Sequence, residues 1–102
     1  MRIVKPPTVR QWMKMHPNAR ASLSRWLELT ARAEWRSLGD IRREFRSCDE
    51  IRVGSGRAVV VFNVGGNNFR LVCAVHYNIG RVFVLRFMTH AQYSEDRWKD
   101  EL

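Results

Sequence analysis

The apolar positions of this chain change period near its middle. In the first half they recur at helical spacing. Val9, Trp12, Met13 and His16 follow i, i+3, i+4, i+7, and Leu23, Trp26, Leu27 and Thr30 or Ala31 repeat the stripe. Thr8 and Asn18 stand where N-caps belong, and Pro17 ends the first helix by disfavouring helical geometry at His16. Arg20, Arg25, Glu28 and Arg32 fall on the opposite, solvated face of the second helix. Ser37 with Asp40 three places on reads as a weak capping box for a short third helix that buries Leu38, Ile41 and Phe45. Ahead of all three, Arg2 to Lys5 reads as an edge strand stopped by Pro6-Pro7.

After Asp49 the period shortens. Ile51 and Val53 suggest a short strand, and Gly54-Ser55-Gly56 a loop. Val59 to Val64 is apolar throughout except at Asn63, the pattern of a strand covered on both faces. Gly65 and Gly66, with Asn67 beside them, predict a hairpin, because Gly and Asn reach positive φ cheaply. Phe69, Leu71, Cys73, Val75 and Tyr77 then alternate with Arg70, Val72, Ala74 and His76. Asn78-Ile79-Gly80 is a second turn, Val82 to Met88 a further strand, and the remainder a loop and frayed helix. Thr89 and Gln92 are spaced as a capping box at the start of that last segment. The expected architecture is α+β: N-terminal helices packed on one face of a mainly antiparallel β-sheet, with the other face open.

A length of 102 residues suits one domain, residues 1–102. No apolar run approaches the ~20 residues that span a bilayer. The N-terminus has no apolar signal core, so a cytoplasmic protein without membrane partners is expected. Cys48 and Cys73 lack any ligand spacing, so neither a metal nor another cofactor is expected. Charge narrows the picture further. Lys plus Arg number 18 against 10 Asp plus Glu, a net charge of +8, and no acid occurs between Arg57 and Ser94. A polyanionic partner follows, and the preponderance of arginine favours phosphate contacts.

An acid-free β half cannot hold Mg²⁺ through carboxylates, so RNA cleavage here would use the 2′-OH as internal nucleophile. That reaction needs a proton acceptor, a proton donor and cations at the phosphate. Arg70, two places beyond the turn, is either a phosphate clamp on a rigid strand or a solvent-facing edge arginine. Arg86 has the same two readings. A three-residue second turn puts both on one face, and a two-residue turn puts them on opposite faces. His76 shares the face of Arg70 and is either an RNA contact or a structural histidine. His90 and Tyr93 are a candidate proton carrier and a candidate donor or stacking ring.

The segments VVVFNVGGNNFRLVCAVHY and VFVLRFMTHAQYS resemble the HigB family of toxins from type II toxin–antitoxin systems. Phe62-Asn63, Gly66-Asn67 and Phe69-Arg70-Leu71 fit its first block, and Thr89-His90-Ala91-Gln92-Tyr93 its second. The resemblance implies a RelE/ParE-like toxin fold and a ribosome-dependent mRNA endoribonuclease that halts translation. It also implies a cognate, HigA-like antitoxin carrying a helix-turn-helix domain, with mRNA and the ribosome as the other partners. On that footing Arg70 neutralises the scissile phosphate, His90 transfers a proton, and Tyr93 stacks on a base or donates a proton. Arg57, Arg86 and His76 are further RNA contacts, while Asn63, Gly65, Gly66 and Asn67 shape the hairpin, the asparagines through bonds to the backbone. Two positions depart from the family pattern. Ser94 stands where many relatives have an acid, and Leu85 where many have a base. Two other functions stay open: a ParE-like toxin that binds a protein such as gyrase, and an RNA- or ribosome-binding module without catalysis.

Overall fold

A computed structural model describes Met1–Leu102. The chain runs through β1 (Arg2–Val4), α1 (Pro6–Met15), a 3-10 turn (Pro17–Ala19), α2 (Arg20–Arg32) and α3 (Leu38–Glu44). It continues through β2 (Asp49–Arg52), β3 (Ala58–Val64), β4 (Phe69–His76) and β5 (Arg81–Thr89), and closes with α4 (His90–Ser94) and α5 (Arg97–Glu101). One sheet has the order β1-β5-β4-β3-β2, and only the β1–β5 pair is parallel. This is the α+β arrangement that the change of period predicts, with β1 at an edge as expected.

Helix starts differ from the expectation. Lys5, at φ 62°, holds the N-cap place of α1, and Pro6 and Pro7 fill its first turn, where a missing N–H costs nothing. Thr8 therefore caps nothing. Asn18 lies within the 3-10 turn, and α2 starts at Arg20 without a side-chain cap. Ser37 does accept the Asp40 N–H at 3.3 Å. The Asp40 carboxylate reaches past it to the Arg36 N–H at 2.8 Å, so the box is not reciprocal.

The helices bury their stripes on one sheet face. Val9, Leu23, Trp26 and Ile41 pack there with Phe62, Leu71, Cys73 and Val82. The opposite face is not open. Val59, Val61, Val72 and Met88 form a second core closed by Trp98, 4% exposed, with Tyr93 and Leu85 at its margin. Strands apolar on both faces require such a cover, and the C-terminal segment supplies it. That segment is two short helices, and the Gly54 N–H donates to the Lys99 carbonyl at 2.8 Å to dock α5.

Register decides which side chains meet. The β4–β5 connection is neither a two-residue nor a three-residue turn. His76 pairs with Arg81, so residues 77–80 form the loop, a 3-10 turn followed by Gly80 at φ 64°. Continued unbroken, that register would set Arg86 opposite Leu71, facing the helices. A β-bulge intervenes: Cys73 pairs with Val84 but Val72 with Arg86. The extra residue, Leu85, turns toward the second core, and Arg86 follows it onto the same face. Arg70, paired with Met88, lies on that face too.

Candidate active site

The Gly65–Asn68 loop builds one corner of the sheet. Gly65 (φ 64°) and Gly66 (φ 68°) take left-handed geometry, which returns the chain so that Asn67 faces back toward Arg70. Arg70 is 8% exposed and tightly held. One terminal nitrogen donates to the Asn67 side-chain oxygen at 2.7 Å. The other donates to the backbone carbonyls of Asn67 (3.2 Å) and Phe69 (3.0 Å). Of a guanidinium's five N–H donors, two are left. Asn67 thus shapes the site through Arg70 and not through the backbone bonds expected of it. Asn63, cross-strand from Arg70, makes no side-chain hydrogen bond, so it does not tie the hairpin either.

The Arg70 guanidinium lies over the Tyr93 ring, 5.6 Å from its centroid. Tyr93 also stacks on Trp98 at 5.3 Å, and the Trp98 indole N–H donates to the Tyr93 carbonyl at 3.0 Å. Burial raises the Tyr93 phenol above its ordinary value. Lys99 and Arg70 pull it down, and Asp49 and Asp96 push it up. The phenol is therefore protonated at neutral pH, the state of a donor.

Thr89 accepts the Gln92 N–H at 3.2 Å while the Gln92 carbonyl oxygen accepts the Thr89 N–H at 3.0 Å, so the expected capping box is complete. It fixes α4 where the His90 N–H donates to the Asn68 carbonyl at 2.9 Å. The hairpin that grips Arg70 therefore also anchors His90. The His90 ring is exposed, and its Nδ1 lies 3.3 Å from the Ser94 hydroxyl, which donates to the His90 carbonyl at 2.9 Å. In the tautomer that carries the proton on Nδ1, Oγ accepts from Nδ1–H and the Nε2 lone pair is left open. In the sequence Ser94 stands out only as a departure from the family pattern. Its spacing of four from His90 on a capped turn is the signal that gives it a role.

The remaining candidates lie apart. Arg86 shares the face of Arg70 but pairs with Glu101 at 3.5 Å and donates to the Leu85 carbonyl at 2.8 Å. The acid-free stretch of sequence is therefore not acid-free in space. His76, six positions along β4, is about 20 Å from Arg70, and its ring packs on Phe83 at 5.0 Å. Arg57 precedes β3 at that same far end and is exposed. Neither joins the corner. His16 packs its ring on Phe69 and Phe87, at 5.2 and 5.3 Å, on the helix side. No group of three or more His, Cys, Asp or Glu side chains is placed to hold a metal ion. No helix is long and apolar enough to cross a membrane.

A model of one protein family, HigB_toxin, described as the RelE-like toxic component of a toxin–antitoxin system, matches residues 19–96. The matched stretch holds the whole corner from Gly65 to Ser94. No curated protein matches the chain.

Proposed function

The chain belongs to the HigB family of RelE-like toxic components of toxin–antitoxin systems, and from that premise we propose that it is a metal-independent, ribosome-dependent mRNA endoribonuclease. The observation that carries the reading is the Arg70 guanidinium, pinned by Asn67 over a protonated Tyr93 on the hairpin that also anchors His90.

The chemistry is transesterification within RNA. His90 Nε2 takes the 2′-OH proton as the 2′-oxygen bonds to phosphorus. The P–O5′ bond breaks, and the Tyr93 phenol protonates the leaving O5′. The products are a 2′,3′-cyclic phosphate and a free 5′-OH. The two unengaged Arg70 N–H groups meet charge developing on the phosphorane oxygens, where fixed donors act most strongly. Arg86 adds a second, partly neutralised cation on the same face. The toxin's cognate antitoxin is proposed to be HigA-like, with a helix-turn-helix domain. Translation stops because message is cut, and the cytoplasm is the compartment where that happens.

Induction of the wild-type chain without its antitoxin should arrest growth, and primer extension should find new 5′ ends inside coding regions. Arg70→Ala and His90→Ala should each relieve the arrest and remove those ends. Arrest with intact message and a DNA-damage response would instead identify a protein target of the gyrase kind. Undiminished toxicity of both variants would overturn the site assignment.

A further inference from the structure

A second feature borders the corner. β1 pairs only with Arg81–Phe83, so from Val84 onward no strand lies along the outer side of β5. α4 and α5 rise beside that open edge and enclose a groove of about 270 Å³. Arg86, Gln92, Glu95, Arg97, Trp98 and Glu101 are among the residues that line it. Met88 forms its floor and is the cross-strand partner of Arg70, so the groove begins one strand spacing, roughly 5 Å, from the proposed phosphate site. The bulge at Leu85 is what brings Arg86 into it. Without the extra residue this cation would face the helices.

The groove joins a donor set to an acceptor set. Arg86 and Arg97 offer N–H groups, and the Glu101 carboxylate lies 3.5 Å from Arg86. Gln92 commits its carbonyl oxygen to the capping box, which leaves its amide N–H₂ free. Single-stranded RNA is read where an unstacked base meets aromatic or arginine surfaces and fixed polar groups. Guanine is the base that fits this pair. Its O6 and N7 accept from an arginine, and its adjacent N1–H and N2–H₂ donate to one carboxylate. Adenine has no acceptor for Arg86 at position 6, and uracil and cytosine offer Glu101 only one donor group.

We infer that the groove between the open edge of β5 and α5 is a guanine-binding subsite, with Arg86 and Glu101 reading the base of the nucleotide beside the phosphate at Arg70. This rests on the nuclease reading for its substrate but not for its test. Short 2′-O-methyl oligouridylates, which cannot be cleaved, would carry one central G, A, C or U and be titrated into the full chain. Fluorescence anisotropy would give affinities, and the Trp98 indole N–H signal in NMR would report the groove. The G oligonucleotide should bind at least about tenfold tighter than the other three, the yield of one well-made bidentate base contact, and should alone shift the Trp98 signal. Glu101→Gln, which leaves Arg86 its O6 and N7 contacts, should cut the G preference at least about threefold, whereas Glu28→Gln, an equal charge change on the far face of α2, should keep it whole. Equal affinity for all four bases, no binding, or a G preference that Glu101→Gln leaves undiminished would overturn the subsite. Guanine-selective binding with no cleavage by the wild-type chain on ribosomes would leave the subsite standing and remove the nuclease. Cleavage without guanine selectivity would do the reverse.

Discussion

Asn67 is the residue whose removal most sharply tests how Arg70 is held. Asn67→Ala deletes the shortest bond to the guanidinium, 2.7 Å, and leaves both backbone acceptors in place. A hydrogen bond to a charged group contributes about 1.5–3 kcal/mol when sheltered. Arg70 is sheltered, at 8% exposure, but Asn67 is exposed, so water partly replaces the lost oxygen. The expected loss is therefore about 1 kcal/mol, below that range, or a fall in Tm of about 4–8 °C for a chain of this size. The same substitution made in an Arg70→Met background has no cation to abandon and should cost almost nothing. The coupling between the two positions is then about 1 kcal/mol. Urea unfolding of the four proteins of the cycle measures it directly. In parallel, Asn67→Ala should lower the rate of RNA cleavage far more than RNA affinity, because the cation remains but no longer has one direction. A coupling below about 0.3 kcal/mol, the ordinary error of additivity, would refute the reasoning.

Three further outcomes follow from other parts of the fold. Tyr93, Tyr77, Cys48 and Cys73 all have raised pKa values, each chiefly through burial. For a raised value the stability is complete below the unfolded pKa and is lost as pH rises through the folded one. Urea midpoints should therefore be level across neutral pH and fall above about pH 8.5–10, where unfolded Cys and Tyr ionise, and equal midpoints at pH 7 and pH 10 would contradict this. Gly65→Ala and Gly66→Ala both place a Cβ at positive φ, about 1 kcal/mol each, but only Gly65 would press it on the Phe69 ring, at 3.1 Å. Thermal melts should rank Gly65→Ala as the less stable. A Cβ at Gly54 would stand 3.0 Å from the Lys99 carbonyl oxygen, so Gly54→Ala should push α5 from the sheet, and hydrogen exchange should speed up at residues 97–101 while β4 stays protected.

The sequence reads well wherever a property is local or periodic. Helical stripes at Val9–His16 and Leu23–Ala31, the two-sided apolar run of β3, and the Thr89–Gln92 box all appear in the fold. Each depends on residues within one or two turns of one another. The helix starts at Lys5 and Arg20 escape such a reading, because proline geometry outweighs the capping preference of Thr8 and Asn18. The bulge at Leu85 has no local signature at all. It is a compromise between a loop that fixes one register at His76–Arg81 and a hairpin end that pairs Phe69 with Thr89. The face on which Arg86 emerges depends on that compromise. Likewise the Arg86–Glu101 pair exists only because α5 docks at Gly54, a contact made far along the chain.

Arg70 shows how far charge and position in a sequence can mislead about exposure. An arginine inside an acid-free basic strand invites the image of a projecting clamp. In the fold it is nearly covered, bonded to its own hairpin and resting over Tyr93. Arg20 and Arg25 of α2 are better suited to drawing in a polyanion, since they lie in solvent without an acid partner, where a field extends about 10 Å before salt screens it, whereas Arg32, Arg42 and Arg43 are ion-paired. Arg70, nearly covered, is suited only to contact. For a group of that kind orientation matters more than reach, and three N–H groups committed to nearby acceptors hold the guanidinium in one orientation. Under the proposed mechanism a scissile phosphate would meet the two remaining N–H groups, donors already ordered before charge builds on the phosphorane. The two left-handed glycines, which look like mere turn chemistry, are what bring Asn67 back to Arg70 and so set that direction.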